Sequence, residues 1–193
     1  LSTVAGKFWV IAEIVRRLNA PVLVLQPSKE ILEQNYEKLL LAGISKEDVY
    51  VCSASANSWM IGKITLATIG TIKKHASTCK NFAAIVVDEC DIVNNDTADG
   101  QYLSFFNELP DTPIVGLTAT PWRNQSFAGK NGDPCVCCRP LTRIYTRNGD
   151  KTPRGQWFWT GGIIYKCEIP YLQSIGFLAK TQYYEAETDW SFL

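Results

Sequence analysis

The chain has 193 residues, 46% apolar and 20% charged, enough to bury one sizeable core and consistent with one α/β domain with or without an appendage. Nineteen basic and nineteen acidic residues cancel, so net charge selects no class of partner, and no apolar run is long enough for a membrane-spanning helix. Seven scattered cysteines form no regular framework and a core of this size needs no disulfides, so reduced thiols and a cytoplasmic location are expected.

The first residues, Leu1-Ser2-Thr3-Val4-Ala5-Gly6-Lys7-Phe8, read as a functional loop with no strand ahead of it, as in a piece of a longer protein. Apolar Phe8, Ile11, Ala12, Ile14, Val15 and Leu18 share one helical face, with Arg16 and Arg17 where the helix dipole favours cations; Asn19 and Pro21 end the helix. Val22-Leu23-Val24-Leu25 reads as a buried strand. Ser28 can cap a helix running through Leu32, Tyr36, Leu39 and Leu40, with Gly43 just past its end. Strands are expected at 49–52 and 64–67, separated by a polar loop of small residues. Thr68-Ile69-Gly70-Thr71 then leads into a short helical stretch holding the only histidine, His75, which reads as a helix-end residue rather than a ligand.

Ala83-Ala84-Ile85-Val86-Val87-Asp88-Glu89-Cys90-Asp91 organises the rest: a continuously apolar, β-branched strand of the kind covered on both faces, ending in three carboxylates. Ligands gather at the carboxyl ends of such strands, and buried neighbouring carboxylates need a positive partner, a magnesium-bound nucleotide being one candidate; a polar turn after a core strand is the plainer alternative. A helix at 102–109 and a strand at 113–117 follow, the strand ending in Thr118-Ala119-Thr120-Pro121. Strands alternating with helices at this spacing predict βαβ units and a mostly parallel sheet.

Between 122 and 160 the character changes. Seven basic residues face two acidic ones, a local excess of +5 that leaves the remainder at −5. Asn148-Gly149 between 142–145 and Trp157-Phe158-Trp159 is a hairpin signal, so a β-rich insertion is expected. Arg143, Arg147 and Arg154, with Trp157 and Trp159 on one strand face, could hold nucleic acid by charge and stacking; packing of the insertion onto the main domain is the plainer alternative. A strand at 162–165, a helix at 170–175 ended by Gly176 and a last strand at 178–184 complete the reading. Cys135 and Cys138 have half a zinc-knuckle spacing and Cys167 could join them, but no second pair follows, so zinc is not expected.

Gly6-Lys7 at a helix start can aim backbone N–H groups and an ammonium at phosphate oxygens. In order, Ala5-Gly6-Lys7, Leu25-Gln26-Pro27-Ser28, Ala67-Thr68-Ile69-Gly70-Thr71, Asp88-Glu89-Cys90-Asp91 and Gly116-Leu117-Thr118-Ala119-Thr120-Pro121-Trp122-Arg123 resemble motifs I, Ia, Ib, II and III of superfamily 2 helicases. The 85–90 and 116–123 stretches, with Cys167-Glu168-Ile169-Pro170-Tyr171-Leu172 and Gly176-Phe177-Leu178, are most similar to RadD-like bacterial DNA repair helicases.

The resemblance implies a RecA-like three-layer α/β domain with a mostly parallel central sheet: 1–121 the first motor domain lacking its N-terminal strand, 122–160 the basic aromatic insertion, and 161–193 the final elements leading to a second motor domain in the same parent chain. It implies ATP and Mg2+ as cofactors and DNA or RNA as partner. The nucleotide would meet Thr3, Ala5, Gly6, Lys7 and Phe8, with Lys7 on the phosphates, Asp88 holding magnesium through water and Glu89 orienting the attacking water. Thr118 and Thr120 would couple nucleotide state to the track, and Pro27, Ser28, Thr68, Ile69 and Gly70 would touch the phosphodiester backbone. Val4 stands where this loop usually has glycine, and Phe8 where a hydroxyl binds the metal, which a phenyl ring cannot do. Asp91 replaces the histidine usual in RadD-like proteins. The expected function is the motor domain of an ATP-dependent DNA helicase or translocase; the alternatives are a restriction-modification motor subunit and a silent helicase-like module that only binds nucleic acid.

Overall fold

Helix α1 (Lys7–Leu18) forms where the apolar spacing places it, burying Ile11, Ala12 and Val15, and ends at Asn19 in the left-handed conformation. The computed structural model describes residues 6–54, 58–93, 100–128, 134–140, 159 and 162–179, with the backbone alone at 123–128 and 134–140. Strand β1 (Val22–Gln26) follows, buried throughout. Helix α2 (Lys29–Leu41) starts at Ser28, whose hydroxyl oxygen accepts from the Ile31 N–H at 3.4 Å, and Gly43 lies beyond its end at φ +81°.

Strands β2 (Val49–Ser53), β3 (Ser58–Trp59), β4 (Ile64–Thr68), β5 (Ala84–Asp88) and β6 (Ile114–Leu117) join β1 in one sheet of order β3-β2-β4-β1-β5-β6. Every pairing is parallel except β2 with β3. Alternation along β1 and β5 divides the core in two. Leu23, Leu25, Ile85 and Val87 pack on one face with Phe105, Phe106 and Leu103 of α4 (Gln101–Asn107). Val22, Val24 and Val86 pack on the other with Ile11 of α1 and Leu32 and Leu39 of α2. The result is the expected three-layer α/β arrangement around a mostly parallel sheet.

Three differences from the sequence expectation are local. The polar stretch after β2 doubles back as β3, antiparallel at the sheet edge, with Trp59 opposite Cys52. The segment after α3 (Ile69–Ile72) is a 3-10 helix over Lys73–Cys79 broken at His75, which leaves helical geometry at φ −121°. Residues 162–165, expected to resume the sheet, pair with no strand among the described residues and instead line, with β6, a cavity of about 200 Å³. Ile163, Ile164 and Tyr165 of that segment are exposed.

Strands β7 (Trp122–Ala128) and β8 (Pro134–Pro140) form a separate antiparallel pair joined through residues 129–133. The expected hairpin around Asn148-Gly149 lies outside the described residues, as does most of the last strand expected at 178–184. Helix α5 (Ile169–Ser174) ends as anticipated at Gly176, φ +74°. No helix among the described residues is long and apolar enough to cross a membrane.

Gly116 of β6 fixes how the tail meets the sheet. A Cβ there would come within 2.6 Å of Cys90 Sγ and 2.7 Å of Trp159 Cη2. Gly116→Ala is therefore expected to cost about 1–3 kcal/mol through overpacking, with the thermal midpoint falling about 2–4 °C for each kcal/mol. Gly70→Ala, whose nearest new neighbour would be Gln101 Oε1 at 3.9 Å, is the matched control and should hold its midpoint in the same scan.

Candidate functional site

The carboxyl ends of β1, β4 and β5 lie side by side, since Gln26 pairs with Thr68 and Leu25 with Val87. Opposite them, α1 begins at Gly6, held at φ +75° where a side chain would be strained. Lys7 is the first helical residue, 7% exposed, and its ammonium donates to Glu89 Oε1 and lies 4.0 Å from Asp88 Oδ1. A cleft of about 460 Å³ is lined by Gly6, Lys7, Phe8, Asn35, Asp88 and Glu89. The residues expected to meet a nucleotide thus come together from opposite ends of the 6–89 stretch; Thr3 and Ala5 lie outside the described residues.

Burial dominates the electrostatics of Asp88. It pushes the carboxyl above its usual range; Lys7 pulls it back, and neighbouring Glu89 raises it further. A carboxylate so placed is short of positive charge. Glu89 holds φ +49°, a left-handed conformation rare for a side-chain-bearing residue, at the turn from β5 into a 3-10 helix over Cys90–Ile92. Strain of this kind concentrates at working sites.

Two sets of contacts around this centre were not foreseen. Asn35, buried on α2, donates from Nδ2 to Gln26 Oε1 at 2.9 Å and to Asp88 Oδ2 at 3.2 Å, while the Glu89 N–H donates to Asp88 Oδ1 at 3.0 Å. The available signal was a polar residue on an otherwise apolar helical face, three positions after Leu32 and four before Leu39. Asp91 in turn accepts from the Thr118 hydroxyl at 2.7 Å and the Thr120 hydroxyl at 3.0 Å. The Thr120 N–H also donates to Thr118 Oγ1 at 3.0 Å. Both threonines singled out in the sequence are therefore tied to the acidic strand end.

Pro27 and Ser28 are half-buried beside Thr68, Ile69 and exposed Gly70, on the adjacent ends of β1 and β4. Trp159 packs partly buried against the core over Gly116, the plainer of the two roles considered for it. Arg143, Arg147, Arg154 and Trp157 lie outside the described residues. Of the cysteines considered for zinc, Cys167 is a free thiol, while at Cys135 and Cys138 only the backbone of β8 is described; no cluster of three metal-ligating side chains occurs among the described residues. Cys90 is a buried filler whose thiol burial pushes up to about 12.

Solved structures share this fold. The UvsW helicase of bacteriophage T4 superposes with a TM-score of 0.53 at 15% identity, over 63% of this chain and 45% of that one. A hypothetical ATP-dependent RNA helicase from Sulfolobus tokodaii gives 0.52 at 21%, over 63% and 40%. The DNA-bound Type ISP restriction-modification enzyme LlaBIII gives 0.52 at 15%, over 91% of this chain and 14% of its own. At these identities the likeness is one of fold, and this chain spans less than half the length of each. No curated protein matches the sequence. Sheet order, flanking helices and these neighbours define a RecA-like fold. Its family is that of the Type III restriction enzyme res subunit, whose family model matches residues 1–123; the chain belongs to it.

Because burial outweighs the pull of Lys7 at Asp88, Asp88→Asn is expected to keep or raise the thermal midpoint of the nucleotide-free protein, by about 2–4 °C per kcal/mol of relieved desolvation. A lowered midpoint in differential scanning would show that the ion pair outweighs burial.

Proposed function

We propose that the chain is the nucleotide-binding motor domain of an ATP-dependent DNA helicase or translocase, working with a second RecA-like domain of the same parent. The observation that carries this reading is the convergence of Lys7, Asp88 and Glu89 on one cleft beside the start of α1. Magnesium fits the donor set: two carboxylates, one of them buried and short of positive charge, face an ammonium. Asp88 would hold the ion through water, and Phe8, which carries no oxygen, would add no ligand. Bound magnesium would neutralise charge on the nucleotide's phosphate oxygens. Lys7 would then exchange Glu89 for the phosphates, freeing that carboxylate to orient water.

Asp91 with Thr118 and Thr120 would carry the nucleotide state to the far side of the domain. Pro27-Ser28 and Thr68-Ile69-Gly70 would meet the phosphodiester backbone without regard to sequence. Two settings suit such a motor. The motif resemblance supports a RadD-like DNA repair helicase, and the family match supports a restriction-modification motor subunit. Both use the same site.

In the full-length protein, Lys7→Ala should abolish saturable Mg-nucleotide binding in a fluorescence titration. Glu89→Gln should leave binding intact and lower hydrolysis by roughly 10²–10⁴; an unchanged turnover removes Glu89 from its role. Thr118→Val with Thr120→Val should preserve nucleotide binding while removing the stimulation of hydrolysis by DNA. Nucleic-acid binding by a wild-type protein that takes up no nucleotide would instead establish the silent module.

A further inference from the structure

We infer that Trp59 and His75, flanked by Lys73 and Lys74, form a stacking contact for single-stranded nucleic acid at the outer edge of the sheet. The inference rests on the motor reading for the path of the strand. Trp59 lies on β3, opposite Cys52, which pairs in turn with Ala67 of β4. Two strand spacings, about 10 Å, therefore separate it from the end of β4. Buried Thr71 locks the two regions together: its hydroxyl oxygen accepts from the Ala54 N–H at 3.0 Å and pairs with the Thr68 hydroxyl at 3.3 Å. The end of β2 is thus fixed to the Thr68-Ile69-Gly70 turn, and a backbone lying on that turn would be carried toward β3.

Trp59 is 50% exposed, a large apolar surface to leave in water. His75 meets it edge-on, with ring centroids 5.5 Å apart and planes at 65°. That contact restrains the indole while leaving half of its surface open. The break in the 3-10 helix at His75 falls directly after Lys73 and Lys74.

Charge selects the occupant. Residues 49–87 contain four lysines and no aspartate or glutamate, in a chain whose net charge is zero. Lys63 is paired with Asp48 at 3.0 Å, whereas Lys73, Lys74 and Lys80 have no carboxylate partner among the described residues. An acid-free, cationic segment carrying a restrained, exposed indole suits a polyanion whose bases are unpaired and free to stack.

The test uses the full-length protein, fluorescence anisotropy, a labelled oligothymidylate and an abasic oligomer of the same length. Trp59→Ala should weaken oligothymidylate binding about 5- to 150-fold, leave abasic binding unchanged, and be largely rescued by Trp59→Phe. Lys73→Ala with Lys74→Ala should flatten the dependence of log affinity on log salt by about 1.4, two phosphate contacts' worth on a single strand. Equal affinity of wild type and Trp59→Ala for oligothymidylate, or an equal loss on both oligomers, overturns the stacking contact. Parallel Mg-nucleotide titrations separate the two readings: intact nucleotide binding with no effect at Trp59 sinks this inference alone, whereas a wild type that binds no nucleotide sinks the motor.

Discussion

A buried ammonium must be paired, and in this chain its partners, Asp88 and Glu89, come from more than 80 residues away. Lys7 is nearly inaccessible, so α1 must be delivered to the end of β5 before its charge is met. Much of the architecture achieves that delivery. The face of α1 bearing Ile11, Ala12 and Val15 seats on Val22, Val24 and Val86, and β1 between β4 and β5 fixes the height at which Asp88 emerges. Removing the ammonium would leave the Asp88 carboxylate buried without its cation, so the end of β5 depends on α1 being in place.

Around that pair the polar groups divide into two hydrogen-bonded sets. Asn35 links the end of β1 to Asp88, and Asp91 links the end of β5 to the two threonines after β6. The carboxylates on either side of Glu89 and Cys90 are thereby held from different helices and loops, leaving Glu89 partnered by the Lys7 side chain. A rigid frame around a locally strained residue is the arrangement expected where one side chain must be free to change partners.

Much of this was legible in the sequence because it rests on periodicity and punctuation. The helical spacing from Phe8 to Leu18, the Ser28 cap, and the continuous apolar runs of β1 and β5 are local signals, and the structure follows them closely. Asp88, Glu89 and Lys7 were recognisable because their residue types have few other reasons to end a buried strand or begin a helix. The links made by Asn35 and Asp91 depend on partners 53 and 27 positions away, and no local pattern encodes them. Strand β3 is only two residues long and antiparallel, inside a stretch of small polar residues that reads as loop. The β7–β8 pair falls at the start of the stretch read as a β-rich insertion, where no individual strand was expected.

The bare backbone of Gly116 carries a further consequence. Since the volume a methyl would need is already filled by a sulfur from one direction and an indole from the other, positions 90, 116 and 159 are bound together as a set. A related chain with alanine or serine at the middle position is relieved of crowding only where slimmer residues stand at both of the others. Aligned relatives should therefore vary at these three columns jointly, and libraries that enlarge position 116 alone will return less stable members.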